Sequence, residues 1–296
     1  MQCVLTVLLV FLPLGFAYAE GSPVADQADA LHDKGMYAEA QQLLRDSLPD
    51  AQSGKDRAEL YWREARETLE LGDAAEKDKK PQAEILALFT EGDGYADKAI
   101  AADPQNDQGY FWKSANIGRW GQVKGIFDSL SKAAPMKELL VKELSINPER
   151  SDPYFVLGQL YRELPGWPVS FGNIDAAVSL GRKAVEMRQA QVQAGLEKEL
   201  VYGFYNELAK SLYKREWSTA RRVSEQKAKA AKLAAAGTPL EKGSLYEASV
   251  DLQDMSDRAE AKALVQLSVS ELGKLAARTA PQEKDFQKAK DLLKGW

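Results

Sequence analysis

YFVLGQLYRELPGWPVSFGNIDAAVSLGRKA, Tyr154 to Ala184, is the stretch that decides the fold. Its first half places Tyr154, Leu157, Gly158 and Tyr161 in the pattern W-x2-L-G-x2-Y, the spacing of the first helix of a repeated helical hairpin. Ile174, Ala177 and Ala184 continue it as a second helix. Between the halves lies LPGWPVSFG, Leu164 to Gly172. Tyr161 and Ile174 are 13 positions apart (174 − 161), about seven more than a regular hairpin of this kind has. Pro165, Gly166, Pro168 and Gly172 make the insert a loop. Loops that project from a rigid helical stack are where function concentrates.

Outward from this stretch the same unit recurs. The pattern is that of the tetratricopeptide repeat (TPR), about 34 residues long when regular. Upstream, Gly35, Tyr37, Ala40 and Leu44 fit the turn and second helix of a first unit. Leu60, Trp62, Ala65 and Leu69 have helical spacing within Arg57 to Leu71. GDAAEKDKKP reads as a charged, flexible insert, and Ala83 to Ala102 as the partner helix, closed by Asp103-Pro104. Trp62 to Pro104 is 42 positions (104 − 62), about 14 more than the regular distance. In the third unit Tyr110, Ser114 and Ile117 take first-helix positions. Gly118-Arg119-Trp120-Gly121 reads as the break that ends that helix, with two short helices following, Val123 to Leu130 and Met136 to Leu144. Downstream, Glu199 to Glu216 and Ser218 to Ala236 read as one more hairpin. Leu245–Gln253, Asp257–Arg278 and Pro281–Leu293 read as closing helices with a polar outer face.

The expectation is an all-α, TPR-like helical-hairpin solenoid of about four to five repeats, with residues 20–236 as the superhelix and 237–296 as a C-terminal helical cap. No convincing strand is read anywhere.

Composition narrows function. The 296 residues carry 39 Lys and Arg against 44 Asp and Glu, a net charge of −5, with the two signs interspersed. That gives no basic face for nucleic acid. Met1 to Ala19 has no charge, is almost wholly apolar from Val4 to Phe16 and ends in Ala17-Tyr18-Ala19, a small-x-small cleavage site. It is expected to be a secretory signal cut after Ala19, giving a periplasmic or secreted chain that meets a membrane only if that segment is retained. Cys3, the one cysteine, leaves with it. No disulfide, thiol nucleophile or cysteine metal site remains.

YFWKSANIGRWGQVKG (Tyr110 to Gly125) followed by YRELPGWPVSFG (Tyr161 to Gly172), with YWREARETLELG (Tyr61 to Gly72) upstream, resembles the TRAP transporter-associated TPR proteins, the T-component family. The resemblance spans roughly Leu60 to Ala236. It implies a periplasmic TPR protein that associates with the substrate-binding protein of a TRAP-type transporter. More distantly, the same helix organisation is similar to the regulator-of-microtubule-dynamics TPR proteins.

Catalytic chemistry finds no foothold. His32 is the one histidine and reads as a lone surface side chain, with no G-x-S-x-G elbow to partner it. The carboxylate pairs Glu64/Glu67, Glu138/Glu143 and Asp254/Asp257 read as solvated helix faces. Gly92-Asp93-Gly94 lacks the third glycine of a dinucleotide loop. No catalytic residue, metal or cofactor is expected.

Binding is the better reading. Aromatic residues crowd the third and fourth units, and Tyr110, Tyr154 and Tyr161 hold core positions. Phe111, Arg119, Phe155, Gln159 and Arg162 fall where first helices face a concave groove, and Trp112, Trp120, Trp167 and Phe171 fit neither class cleanly. These nine are the expected contact residues. Trp120 and the Pro165–Gly172 loop are expected to rim one groove or pocket, with Arg119 or Arg162 either meeting a ligand carboxylate or pairing internally. The expected function is a non-enzymatic scaffold for a partner protein, the TRAP substrate-binding protein. The alternatives are a binder of a small apolar or carboxylate ligand acting alone, and a generic or microtubule-type TPR adaptor. A homo-oligomer is compatible with all three.

Overall fold

Gly158 and Gly181 face each other across the central hairpin. A Cβ on Gly158 would stand 3.3 Å from the Ala177 carbonyl oxygen and 3.3 Å from the Gly181 nitrogen. Glycine at this position lets α7 (Ser151–Glu163) and α8 (Ile174–Gln193) pack closely without a side chain between them. The computed structural model describes residues 23–252 and 254–296; the expected leader, Met1 to Ala19, lies outside them.

Three hairpins precede the central one: α1 (Pro23–Asp33) with α2 (Tyr37–Ser47), α3 (Gly54–Lys77) with α4 (Gln82–Ala102), and α5 (Asp107–Lys124) with α6 (Ile126–Ile146). After it come α9 (Tyr202–Arg215), α10 (Thr219–Ala235), α11 (Pro239–Ser244), a 3-10 turn (Tyr246–Ser249), α12 (Asp257–Gly273) and α13 (Ala280–Gly295). No strand occurs among the described residues. First helices also touch from hairpin to hairpin, α1 on α3, α3 on α5 and α7 on α9, which makes a stack. The fold is the expected all-α, TPR-like solenoid.

Several local expectations need correction. The charged insert is mostly helix: α3 runs to Lys77, so the extra length of this unit sits in long helices. Gly72 is kept small because a Cβ there would press on the Phe89 ring at 2.6 Å. GRWG does not break α5. A Cβ on Gly118 would stand 2.7 Å from the Met136 methyl, and one on Gly121 would stand 3.1 Å from the Ser129 backbone. These glycines set close helix packing. Residues 126–146 form one helix through Pro135. Finally, α10 is not the mate of α9. α12 packs on α9, while α10 packs on the 3-10 turn. The fifth hairpin is therefore α9 with α12, and α10, α11 and the turn are an excursion between them.

One apolar core runs from Leu140 and Leu144 of α6 through Tyr154, Leu157, Val178 and Leu180 to Phe204, Leu208 and Leu212 of α9. Leu69, Ile85 and Phe89 form a second cluster, and Ala28, Leu44 and Leu60 a third. Each fully buried Leu or Phe stabilises the stack by about 1.5–3 kcal/mol. Tyr110 and Tyr154 are buried as expected, their hydroxyls donating to the carbonyls of Pro104 and Pro148 that follow the preceding helices. Tyr161 is only half-buried.

The carboxylate pairs depart furthest from expectation. Glu138 and Asp254 are exposed, but Glu64, Glu67, Glu143 and Asp257 are all fully buried. His32 is not a free surface side chain either, since its Nδ1 lies 3.0 Å from the buried Glu67 carboxylate.

Candidate interaction surface

The Leu164–Gly172 loop is held at both ends. The Gly172 N–H donates to the Pro165 carbonyl at 2.9 Å and the Asn173 N–H to the Tyr161 carbonyl at 2.8 Å. A Cβ at Gly172 would collide with the Leu164 carbonyl oxygen at 1.9 Å, so the pinned neck requires glycine. Inside the loop the Val169 N–H donates to the Gly166 carbonyl. Phe171 turns inward, edge-on to Tyr161 at 5.2 Å, with the Lys137 ammonium 4.5 Å over its ring. Trp167 and Val169 turn outward and are 89% and 75% exposed.

Trp120 sits elsewhere. It lines a cleft of about 240 Å³ between α4 and α6, floored by α5, with Phe89, Asp93, Asn116, Ile117 and Lys132. Trp167 is not among the lining residues, so the expected common rim of Trp120 and the loop does not form. The Lys132 ammonium stands 5.0 Å over the Trp120 ring. Asn116 is wholly buried, and its amide donates to the Ala65 and Trp112 carbonyls. Gly92 leaves room for its oxygen, which a Cβ there would meet at 2.2 Å.

The two arginines pair internally. Arg119 bonds Asp73 at 2.6 Å and also pairs with Glu76, while its guanidinium covers Phe89 at 5.4 Å. Arg162 is buried. It pairs with Glu207 and reaches the Glu207 carbonyl at 2.9 Å and the Ser211 hydroxyl at 3.2 Å. Burial alone would raise the Glu207 pKa, but Arg162, Lys288 and Lys210 outweigh it and hold the group down at about 2. Neither guanidinium is free for a ligand. Phe155 stacks on Phe204 at 4.2 Å and Phe111 sits edge-on to Trp112 at 5.2 Å, both against the main core. Trp112 packs into the Phe89 cluster, and Gln159 is half-buried on α7. Of the nine expected contact residues, the structure thus leaves Trp167 on an outward surface and Trp120 at a cleft.

Sequence reasoning missed Lys132, which no pattern marks, and Asn116. The latter's one signal is its spacing to Trp120, one helical turn away. It also missed a buried ionic network that ties α8, α9, α10, the 3-10 turn and α12 together. Arg182 meets Glu260 at 2.7 Å and Glu247 at 3.1 Å. Arg215 meets Asp257 at 2.7 Å and Asp175 at 3.0 Å and pairs with Glu247. Arg222 and Lys229 complete it, on Glu260 and Asp175. Burial pushes Glu247 and Glu260 upward, and the facing arginines bring both below the usual carboxylate range.

A family model described as Regulator of microtubule dynamics protein 1-3 matches residues 24–167, which covers α1 to α7 and ends at the loop. Regulator of microtubule dynamics protein 1 of Bos taurus is 28% identical over 138 residues, 46% of this chain and 40% of that protein. The Mus musculus protein of the same name is 27% identical over 142 residues, 48% of this chain and 44% of its own length. The chain therefore spans less than half the length of these curated relatives. The similarity is to the more distant of the two families the sequence resembles. Among solved structures, a thermophilic TPR protein of Thermus thermophilus aligns with a TM-score of 0.53 over 91% of this chain and 97% of that one, at 15% identity. At that identity the likeness speaks to fold, and the fold is TPR-like.

Proposed function

We propose that this chain is a non-enzymatic TPR scaffold whose braced loop, Leu164 to Gly172, docks a partner protein. The observation that carries the reading is the outward pair Trp167 and Val169 on a loop pinned at its neck. An apolar tip held rigid before binding loses little conformational freedom when it docks. The partner is the substrate-binding protein of a TRAP-type transporter. The sequence segments that flank and include the loop support that choice, as does the apolar leader read as an export signal. On this reading the mature chain begins at Glu20 and works outside the cytoplasm.

The test is a photocrosslinker placed at position 167 in the full chain, expressed in a host with TRAP transporters, and mass spectrometry of the adducts. A TRAP substrate-binding protein should be recovered. The Trp167→Ala, Val169→Ser pair should weaken that complex by about thirtyfold, the loss of one hot spot worth roughly 2 kcal/mol, with helix content unchanged. Equal recovery by wild type and double variant would remove the loop from the interface.

A second reading follows from the relatives, whose name speaks of microtubule dynamics. Here the chain is a cytoskeletal adaptor and keeps its N-terminal segment. An N-terminus found at Glu20 by mass spectrometry decides against it.

A further inference from the structure

The cleft between α4 and α6 has the chemistry of a small binding site that is separate from the loop. Phe89 from α4 and Ile117 and Trp120 from α5 give it an apolar side, and Thr90, Asp93, Asn116 and Lys132 give it a polar one. The one carboxylate in its lining, Asp93, is held by Lys113 at 2.6 Å, and Lys113 also reaches Asp97 at 2.9 Å. Lys132 differs from them. Its ammonium lies 5.0 Å over the Trp120 ring, and it makes no ion pair among the described residues. Lys124 approaches the same indole from the end of α5, at 6.0 Å, and likewise has no carboxylate partner there. Two cations with no carboxylate partner among the described residues therefore flank the Trp120 ring. Cations near an indole are held in place by its face, which leaves their outer hydrogens for an anion. The cleft exists because α4 and α6 do not pack on each other, and Gly92, Gly118 and Gly121 seat both on α5 instead.

We propose that this cleft binds a small apolar monocarboxylate, with its carboxylate on Lys132 and its apolar body against Trp120 and Ile117. The volume of about 240 Å³ suits a ligand of roughly ten non-hydrogen atoms. A dicarboxylate with its second charge at the far end fits less well, because that charge would lie against the buried Phe89 ring, away from both lysines. A cationic ligand would face Lys132.

The experiment uses the full chain labelled with 5-fluorotryptophan, which gives one fluorine signal for each of six tryptophans. Trp120 is assigned from the Trp120→Phe protein. Phenylacetate is titrated against the neutral phenylacetamide and 4-carboxyphenylacetate, a dicarboxylate whose second charge is at the opposite end. Phenylacetate should move the Trp120 signal with a Kd of about 1 mM, as expected for so small a ligand. Phenylacetamide and 4-carboxyphenylacetate should each bind about tenfold more weakly. Lys132→Gln, a half-buried surface position, should keep the helix content and bring phenylacetate down to the level of phenylacetamide. The proposal is overturned if the Trp120 signal does not respond, if the amide binds as tightly as the acid, or if Lys132→Gln still prefers the acid. The partner crosslinks at position 167 are read separately, so the docking proposal and this one can fail independently.

Discussion

Two regions share one apolar core and differ in what they add to it. Between α5 and α8 the contacts are those of a repeat: Leu140, Leu144, Tyr154, Leu157 and Val178 interlock, and Gly158 lets the α7 and α8 backbones close. Between α8 and α12 the core continues through Leu208, Ala261 and Val265, and beside it the chain buries four cations, Arg182, Arg215, Arg222 and Lys229, against Glu247, Asp257, Glu260 and Asp175. The first arrangement is tolerant, because any apolar side chain of suitable volume contributes. The second is selective, because all of these charges but Asp175 are buried and each needs an opposite charge beside it. The contrast shows how a repeat array is closed off. Where α10 leaves the repeat frame and α12 takes its place on α9, apolar periodicity no longer says which helix belongs where. Specific ion pairs supply that information.

Breaking one member of the network should therefore have the largest effect. Arg215 is buried and serves Asp257, Asp175 and Glu247 at once, and its guanidinium covers Trp217 at 4.1 Å. Arg215→Ala would leave those carboxylates without their shared cation. A loss of about 3–5 kcal/mol is expected, read by urea unfolding. A loss below about 1 kcal/mol, the range of exposed pairs, would show that water already screens the network.

Leu157→Ala is the matching break in the repeat region. Leu157 is fully buried in the main core, and its truncation should cost about 2–5 kcal/mol, with the lower half of that range expected if neighbouring leucines relax into the space. The sharper contrast lies in repair. Leu157→Met should recover most of the loss, because volume is what matters there. Arg215→Lys should not, since a single ammonium cannot meet three carboxylates as a planar fork does. If both conservative variants behave alike, the two regions do not differ in kind.

The same contrast explains what could be read in advance. Tyr154, Leu157, Gly158 and Tyr161 are legible because a helix face repeats locally, and so the solenoid and the loop between Tyr161 and Ile174 could be inferred. The ionic pairs were not legible. Arg182 and Glu260 are 78 residues apart and Arg215 and Asp257 are 42 apart, and a charged residue type carries no sign of its partner. Glu64, Glu67 and Asp257 looked like surface residues for that reason. Gly118 and Gly121 misled in the other direction, since a glycine that admits a neighbouring helix has the same letter as one that ends its own. At the candidate site the exposed loop followed from its prolines and glycines. The capture of Arg119 by Asp73 and of Arg162 by Glu207 depends on helix register across hairpins, which spacing alone does not fix.

Glu143 belongs to neither scheme, and it yields the smallest expected effect. It is fully buried in α6, beside the leucines of the main core, and neither carboxylate oxygen has a hydrogen-bond partner among the described residues. Burial raises its pKa well above the usual carboxylate range. Asp107 and Asp152 add to the rise, and Arg150 opposes it. A carboxyl group whose pKa is higher in the folded chain than the roughly 4.3 of an unfolded Glu favours folding only while it is protonated. Its contribution is greatest below about pH 4 and is lost as pH rises toward the folded value, so at neutral pH this side chain weakens the structure. Glu143→Met keeps the length and removes both the charge and the unpartnered oxygens. The variant should be more stable than wild type by about 1–2 kcal/mol at pH 8, and the gap should narrow steadily as pH falls toward about 4. Melting temperatures of both proteins across that range measure it directly. A constant gap would mean that the gain is packing alone, and a less stable variant at pH 8 would mean that Glu143 finds in solution a partner for its oxygens.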